Sequence, residues 1–321
     1  MQDHKWASLL YNQCLKHHHW QQSEGLRGRL WRWAWSQGLH RFGDVAVSTN
    51  MHGRRTLVNF GHSYGLYARR FLQWNTPLIE LAHQAFLARH RPIHLVDVGA
   101  SVGDTVRLLQ ANCGDEIATY LCVEGDADFF SYLKSNLEDD EKVRLVQALL
   151  SDRADEIPSL VRTHPGTASA QGDQVQRAVP LDVVVEAERM EQLDVLKIDV
   201  DGFDGKVLMG SHRLLGRWKP AVIFEWDPYF CQKTENSWTR HFELLVEHGY
   251  DRFLWFTKYG NFSHPMTGYD AVAVELLAQL CLSGAHDFNW HYDVVALHRE
   301  SPIDPHALSM ARFAKQRRSW F

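Results

Sequence analysis

The chain has 321 residues, enough for one large domain with additions. Hydrophobic residues make up 45% and charged residues 23%, a balance that excludes a disordered chain. A net charge of -5 leaves no basic footprint for nucleic acid, and no apolar run reaches the ~18 residues of a membrane span.

The first segment, MQDHKWASLLYNQCLKHHHWQQ, lacks the apolar core of a secretion signal, so a cytoplasmic location is expected. Cys14, Cys113, Cys122, Cys231 and Cys281 are scattered, odd in number and form no C-x-x-C pair. That argues against a disulfide framework or a structural zinc and fits a reducing compartment. Residues 1 to about 42 read as helical and aromatic-rich, broken near Gly25 and Gly28. His17, His18 and His19 are adjacent, so their side chains diverge on a helix and read as solvated surface, not as metal ligands. DVAVSTNMHGRRTLVNFG alternates about a turn at His52-Gly53 and predicts a β-hairpin. A helix follows from Thr76-Pro77 to about His90. Residues 1–90 are expected to form a cap, with a substrate lid or an oligomer contact as its candidate roles.

From residue 91 short apolar runs alternate with helical stretches. The runs are HLVDV, TYLCVE, VRLVQALL, LDVLKIDV, PAVIFEW, RFLWF and YDVVALH. The helices are Asp104–Asn112, Asp126–Leu137, Gly205–Leu215 and Trp238–His248. This predicts an α/β fold with a mainly parallel sheet and helices on both faces. Asp152 to Gln176 reads as an exposed loop. Lys258 to His291, with a short helix near Ala271–Leu282, reads as a second insertion beside the carboxyl edge of the sheet, where open α/β sheets bind ligands. The tail 301–321 is basic through Arg312, Lys315, Arg317 and Arg318.

The densest signal is HLVDVGASVGDT, His94 to Thr105: a strand, a glycine turn and a helix. The next run ends in an acid, Glu124, suited to grip two ribose hydroxyls. A dinucleotide fold would place a glycine where Ser101 stands. Asp97 and Asp104 bracket the turn; they would repel a pyrophosphate and attract the ammonium and sulfonium charges of S-adenosylmethionine. A second cluster, DVLKIDVDGFDG, delivers Lys197, Asp199, Asp201 and Asp204 at a strand end. So many carboxylates beside a buried strand need a cation, a metal or a shared proton.

Taken together, DVGASVGDT, VEGDADFFSYLKSNL, PLDVVV, LKIDVDGFDGKVLMG and PAVIFEW resemble the FkbM family of S-adenosylmethionine-dependent methyltransferases, over roughly residues 91–300. The departures are Ser101 for Asn, Gly125 for Pro, and Asp201 and Asp204 for Glu. The resemblance implies the Rossmann-like class I methyltransferase fold, a seven-stranded sheet with an antiparallel last strand. It also implies O-methylation of a glycan or secondary-metabolite hydroxyl. Asp97, Gly99, Ala100, Ser101, Gly103, Asp104, Thr105, Glu124 and Gly125 are then the expected cofactor loop, with Ala148 and Leu149 against the adenine. Thr105 or Asp104 has a structural alternative as a helix cap, and Asp126 likewise.

Asp199 is the expected catalytic carboxylate, as proton acceptor or metal ligand, with Glu225 and Lys197 as further catalytic candidates. Lys197 also reads as the neutraliser of the acids. Asp199, Glu225 and Asp227 are an oxygen-rich candidate set for magnesium or calcium. His62, His264, His291 and His298 are alternative bases, and Tyr64 and Trp290 alternative ring platforms. The competing readings are a nicotinamide oxidoreductase, disfavoured by Ser101, and a non-catalytic module that binds a partner. A homo-oligomer built on the aromatic N-terminus is also compatible with the sequence.

Overall fold

A computed structural model describes residues 3–164, 167–284 and 290–310. The N-terminal part holds helices Lys5–Lys16 and Leu26–Phe42, joined through a short 3-10 turn at His18–Gln21. The break falls at Gly25, the N-cap of the second helix; Gly28 lies inside that helix. Strands β1 (Ala46–Met51) and β2 (Arg54–Asn59) then form the expected hairpin. Its turn residues His52 and Gly53 both have positive φ, 52° and 80°, the twist that closes a two-residue hairpin. Helix Thr76–Arg89 begins with proline in its first turn, where a missing N–H costs nothing.

The following strands are β3 (Ile93–Val98), β4 (Ile117–Glu124), β5 (Val143–Gln147), β6 (Leu149–Leu150), β7 (Asp155–His164), β8 (Thr167–Val179), β9 (Val195–Ile198), β10 (Ala221–Trp226), β11 (Tyr250–Thr257), β12 (Phe262–Thr267) and β13 (Tyr292–His298). The main sheet runs β12-β11-β13-β10-β9-β3-β4-β5. Strands β5, β4, β3, β9 and β10 are mutually parallel, and β13 enters antiparallel between β10 and β11. The fold is the Rossmann-like α/β arrangement the resemblance implies, with one correction: the sheet has eight strands. The extra edge strand, β12, escaped sequence reading because FSHPMT carries a proline and only two large apolar residues.

Two further corrections concern residues 143–179. The run VRLVQALL splits at Ala148, and β6 leaves the main sheet for a small one of order β6-β8-β7. The segment expected as a loop is largely an antiparallel β7–β8 ladder. Gly205–Leu215 divides into helices Asp204–Met209 and His212–Trp218. Helices Leu181–Ala187 and Pro228–Lys233 were not anticipated as separate elements. The basic tail residues Arg312, Lys315, Arg317 and Arg318 lie outside the described residues.

Strand alternation explains the core. Val96, Val98, Leu196, Ile198, Val222 and Phe224 point to one face; Ile93, Leu95, Val195, Ala221, Ile223, Val295 and Leu297 point to the other. Both faces are covered, so the strands read as continuous apolar runs. On the second face, the period-two series end in polar residues: Asp97 on β3, Lys197 on β9, Glu225 on β10 and Asp293 on β13. The register sets Asp97 beside Lys197 and Glu225 beside Asp293. A row of charge therefore closes one face at the carboxyl edge. Helix Thr76–Arg89 packs on this face through Leu78, Leu81, Ala82 and Ala85.

The N-terminal segments pack directly on the elements after β3. Val102, Phe129 and Tyr132 share a core with Tyr11, Val58, Phe60 and Tyr64. Asn136 joins them: Leu57 N–H donates to its Oδ1 at 2.8 Å, and its Nδ2 donates to Leu57 O at 2.8 Å and Val102 O at 2.9 Å. No helix among the described residues is long and apolar enough to cross a membrane.

Candidate active site

The sheet order reverses at β3 and β9, and a cavity of about 300 Å³ opens at their carboxyl ends. That is where an open α/β sheet leaves a crevice. The glycine turn forms one wall. Gly99 has φ +76°, and a Cβ there would stand 1.9 Å from Asp199 O. The glycine is thus required by the close approach of two strand ends, not by a ligand alone. Gly103 has φ +88°, and a Cβ would meet Leu137 at 2.6 Å. It is the N-cap of helix Asp104–Cys113, and no side chain caps that helix, so the Thr105 cap is not formed.

Gly99, Ser101, Asp104, Thr105, Glu124, Gly125, Ala148 and Leu149 line the cavity, as expected for the loop. Three expected cofactor residues do not. Ala100 is buried in the core, Gly103 packs against Leu133 and Leu137 of helix Ala127–Leu137, and Asp97 is fully buried beneath the site. The sequence placed them correctly on the turn, but neighbouring side chains in a strand and turn face opposite ways. Asp126 accepts from the N–H groups of Asp128 and Phe129 and caps its helix, the structural alternative.

Glu124 is the last residue of β4 and is buried. The Ser101 N–H donates to its Oε2 at 2.7 Å and the Asp126 N–H to its Oε1 at 2.8 Å. Burial pushes its pKa up to about 7 against those two bonds. Each carboxylate oxygen has lone-pair capacity beyond its one backbone donor.

Lys197 holds the floor. Its Nζ lies 3.0 Å from Asp97 Oδ1 and 3.4 Å from Asp199 Oδ2, and donates to Gly99 O at 3.1 Å. Burial alone would lower its pKa, but Asp97 and Asp199 outweigh this and hold it well above the ordinary amine value. It remains an ammonium, which suits neutralisation and rules out a role as proton acceptor near neutral pH. Burial raises Asp97 and Asp104 to about 6, with Lys197 opposing. Asp199 reaches into the cavity with its side chain half exposed.

The remaining acids crowd behind it. Burial, then the Asp199 charge, pushes Asp201 and Glu225 far above the carboxylate range and Asp204 to about 8. Asp293, which sequence reading missed, is pushed up to about 7 by burial. Its only sequence signal was an acid in the otherwise apolar run YDVVALH. His291 bridges two acids: Nε2 is 3.2 Å from Glu225 Oε1, and Nδ1 is 3.4 Å from Asp227 Oδ2.

Asp227 corrects the metal expectation. Its Oδ1 accepts from the N–H groups of Tyr229 and Phe230, capping helix Pro228–Lys233, and its Oδ2 faces His291. It does not line the cavity. Among the described residues, no three His, Cys, Asp or Glu are placed to hold a metal ion.

The N-terminal part supplies the opposite wall through His62, Ser63, Tyr64, Trp74, Asn75 and Leu78. Of these only His62 and Tyr64 were anticipated; the others carry no motif. His62 is buried and desolvation lowers its pKa to about 4, so it is neutral. His264 instead stacks on Trp255, ring centroids 5.4 Å apart, and His298 packs edge-on against Tyr250. Trp290 packs edge-on against Tyr259 and Tyr292, outside the cavity lining.

No curated protein matches the sequence. Among solved structures, a methyltransferase FkbM from Methylobacillus flagellatus KT aligns at 14% identity with a TM-score of 0.42. The alignment covers 64% of this chain but 43% of that one, less than half of its length. A Burkholderia thailandensis protein bound to S-adenosyl-homocysteine aligns at 13% identity and TM-score 0.37, over 74% of this chain and 79% of that one. The precorrin-6y C5,15-methyltransferase of Geobacter metallireducens GS-15 aligns at 12% identity and TM-score 0.34, over 68% and 87%. One family model matches, the methyltransferase FkbM domain, and it spans β3 to the start of β11. Residues 97–252 of this chain match the methyltransferase FkbM domain model.

Proposed function

We propose that the protein transfers a methyl group from S-adenosylmethionine to a hydroxyl of a glycan or secondary metabolite. The observation that carries the reading is the acid-rich lining of the cavity, whose raised pKa values a cationic ligand would lower. Asp104, Glu124, Asp199, Asp201 and Glu225 line it, and Lys197, the one lysine among the described residues that line it, is already engaged by Asp97, Asp199 and Gly99 O. That donor set fits a ligand with ammonium and sulfonium charges and offers no spare cation to a pyrophosphate, which speaks against the oxidoreductase alternative. The donor, when bound, supplies an electrophilic methyl group.

The residues of the chain then divide the work. Glu124, already fixed by two backbone donors, would accept ribose hydroxyls through its remaining lone pairs. Ala148 and Leu149 would wall the adenine. Asp199 would take the proton from the acceptor hydroxyl, since an unassisted alcohol is a poor nucleophile. Lys197 fixes the Asp199 carboxylate by direct contact, and the wall from His62 to Leu78 would orient the acceptor and exclude water. An acid-rich cavity of this kind also speaks against a purely non-catalytic module, which has no need to maintain it. The five free buried cysteines fit a cytoplasmic enzyme.

The test is titration calorimetry with S-adenosylhomocysteine, followed by a labelled methyl-transfer screen over glycans, polyketides and peptides. Glu124→Ala should weaken the product at least tenfold, whereas Asp199→Ala should keep binding and lose turnover. Unchanged affinity in Glu124→Ala removes the ribose assignment. Full turnover in Asp199→Ala removes the base.

A further inference from the structure

We propose that helix Leu26–Phe42 docks the protein onto an anionic lipid surface. The inner side of this helix is accounted for: Trp35 stacks on Phe60 at 5.3 Å, Trp31 stacks on His17 at 4.6 Å, and a Cβ on Gly38 would meet the Phe60 ring at 2.4 Å. The outer side is not. Leu26 is 83%, Leu30 58% and Trp33 62% exposed. Their spacing of four and three residues puts them in one stripe, which exposed Gln37 continues. On a helical projection, exposed Arg29 and His40 flank one side of the stripe and exposed Arg27 and Arg41 the other.

The helix holds no acidic residue, in a chain whose net charge is -5. An apolar stripe of leucine and tryptophan between arginines is the form that lies in the plane of a bilayer interface. Arg32 is excluded from the footprint because it donates to Trp20 O at 2.8 Å and Ser23 O at 2.7 Å. The same charge pattern disfavours a second copy of this face. A twofold contact would bring arginines against arginines with no carboxylate on the helix between them. Trp6 and Leu9 on the neighbouring helix Lys5–Lys16 are also exposed, beside Lys5. This attachment is independent of the proposed chemistry, because none of these residues lines the cavity.

The test is co-sedimentation of the full chain with phosphatidylcholine vesicles, with and without phosphatidylglycerol. At about fivefold per arginine near an anionic surface, three exposed arginines predict about a hundredfold preference for the doped vesicles, lost in high salt. The triple variant R27Q/R29Q/R41Q should lose that preference, and R27K/R29K/R41K should keep it. The variant L26S/L30S/W33S should reduce partition into doped vesicles at least tenfold while its thermal melt stays unchanged. Equal partition of wild type and R27Q/R29Q/R41Q overturns the proposal, as does absence of binding to doped vesicles. If L26S/L30S/W33S instead abolishes a dimer seen by sedimentation velocity without vesicle binding, the face belongs to a second copy.

Discussion

Replacing Lys197 by methionine removes an ammonium from the floor of the cavity while keeping much of its volume. The lysine touches fully buried Asp97 at 3.0 Å and half-exposed Asp199 at 3.4 Å. Breaking a buried pair by deleting one partner typically costs about 3–5 kcal/mol, because the other charge is stranded. Nearly all of that cost should come from Asp97, since water reaches Asp199 and screens it. The pH dependence gives the reasoning its edge. Asp97 sits at about 6 even with the lysine present, so burial already exceeds the attraction. Without the lysine its pKa rises further. At about pH 5 Asp97 is largely neutral in both proteins, and losing a buried ammonium there costs little. Towards about pH 8 wild type carries the ion pair, whereas the variant must strand a carboxylate or take up a proton. Urea denaturation should therefore show a deficit that grows from pH 5 to pH 8. Lys197→Met/Asp97→Asn should regain most of it. A deficit of equal size at both pH values, or a double variant no more stable than Lys197→Met, would refute the assignment.

The acid cluster predicts a second pH effect. Glu124, Asp293 and Asp204 are raised from ordinary values of 4.5, 3.8 and 3.8 to about 7, 7 and 8. A carboxyl raised on folding favours the folded state at low pH and loses that contribution as pH rises through its folded value. The ligand-free protein should melt at a higher temperature near pH 5.5 than near pH 8.5, a gap that a cationic methyl donor narrows; a flat profile in differential scanning calorimetry would contradict it. Asn136→Ala loses three hydrogen bonds worth about 1 kcal/mol each, so about 3 kcal/mol, checked by urea denaturation. Limited proteolysis of that variant should also cleave earlier within residues 46–62. Gly99→Ala should cost more than Asn136→Ala, because its Cβ meets backbone at 1.9 Å and neither strand end can move freely; equal melting of the two variants would argue against that contact.

Much of the sheet was readable because both of its faces are buried. LVDV, LCVE, VLKI and VIFEW are runs that only a covered strand can use, and the acids at their ends mark the carboxyl edge. What escaped was set by tertiary context. Proline and histidine in β12 weaken its strand signal, yet β11 supplies a partner and makes it an edge. The β7–β8 ladder runs through polar residues with proline and glycine, the composition of a loop, and is set by pairing between its own two arms. In the site, the spacing of Asp97, Asp199 and Glu124 placed the acids at strand ends but not which way each side chain turns. That is why Asp97 proves to lie beneath the cavity and Asp227 caps a helix. Trp74, Asn75 and Leu78 could not be assigned from spacing, because they reach the cavity only through tertiary packing, Leu78 with its helix on the sheet and Trp74 with the N-terminal core.

The clasp at Asn136 carries a lesson for recombination. One amide grips the hairpin edge and the carbonyl of Val102 in the glycine turn at once. A chimera that grafts a foreign leading segment onto the body from residue 91 onward would break that grip unless the grafted hairpin presents a strand edge at the position of Leu57. Exchange of that segment by shuffling is therefore tied to one backbone coordinate, and libraries that hold it fixed should give a larger share of folded progeny.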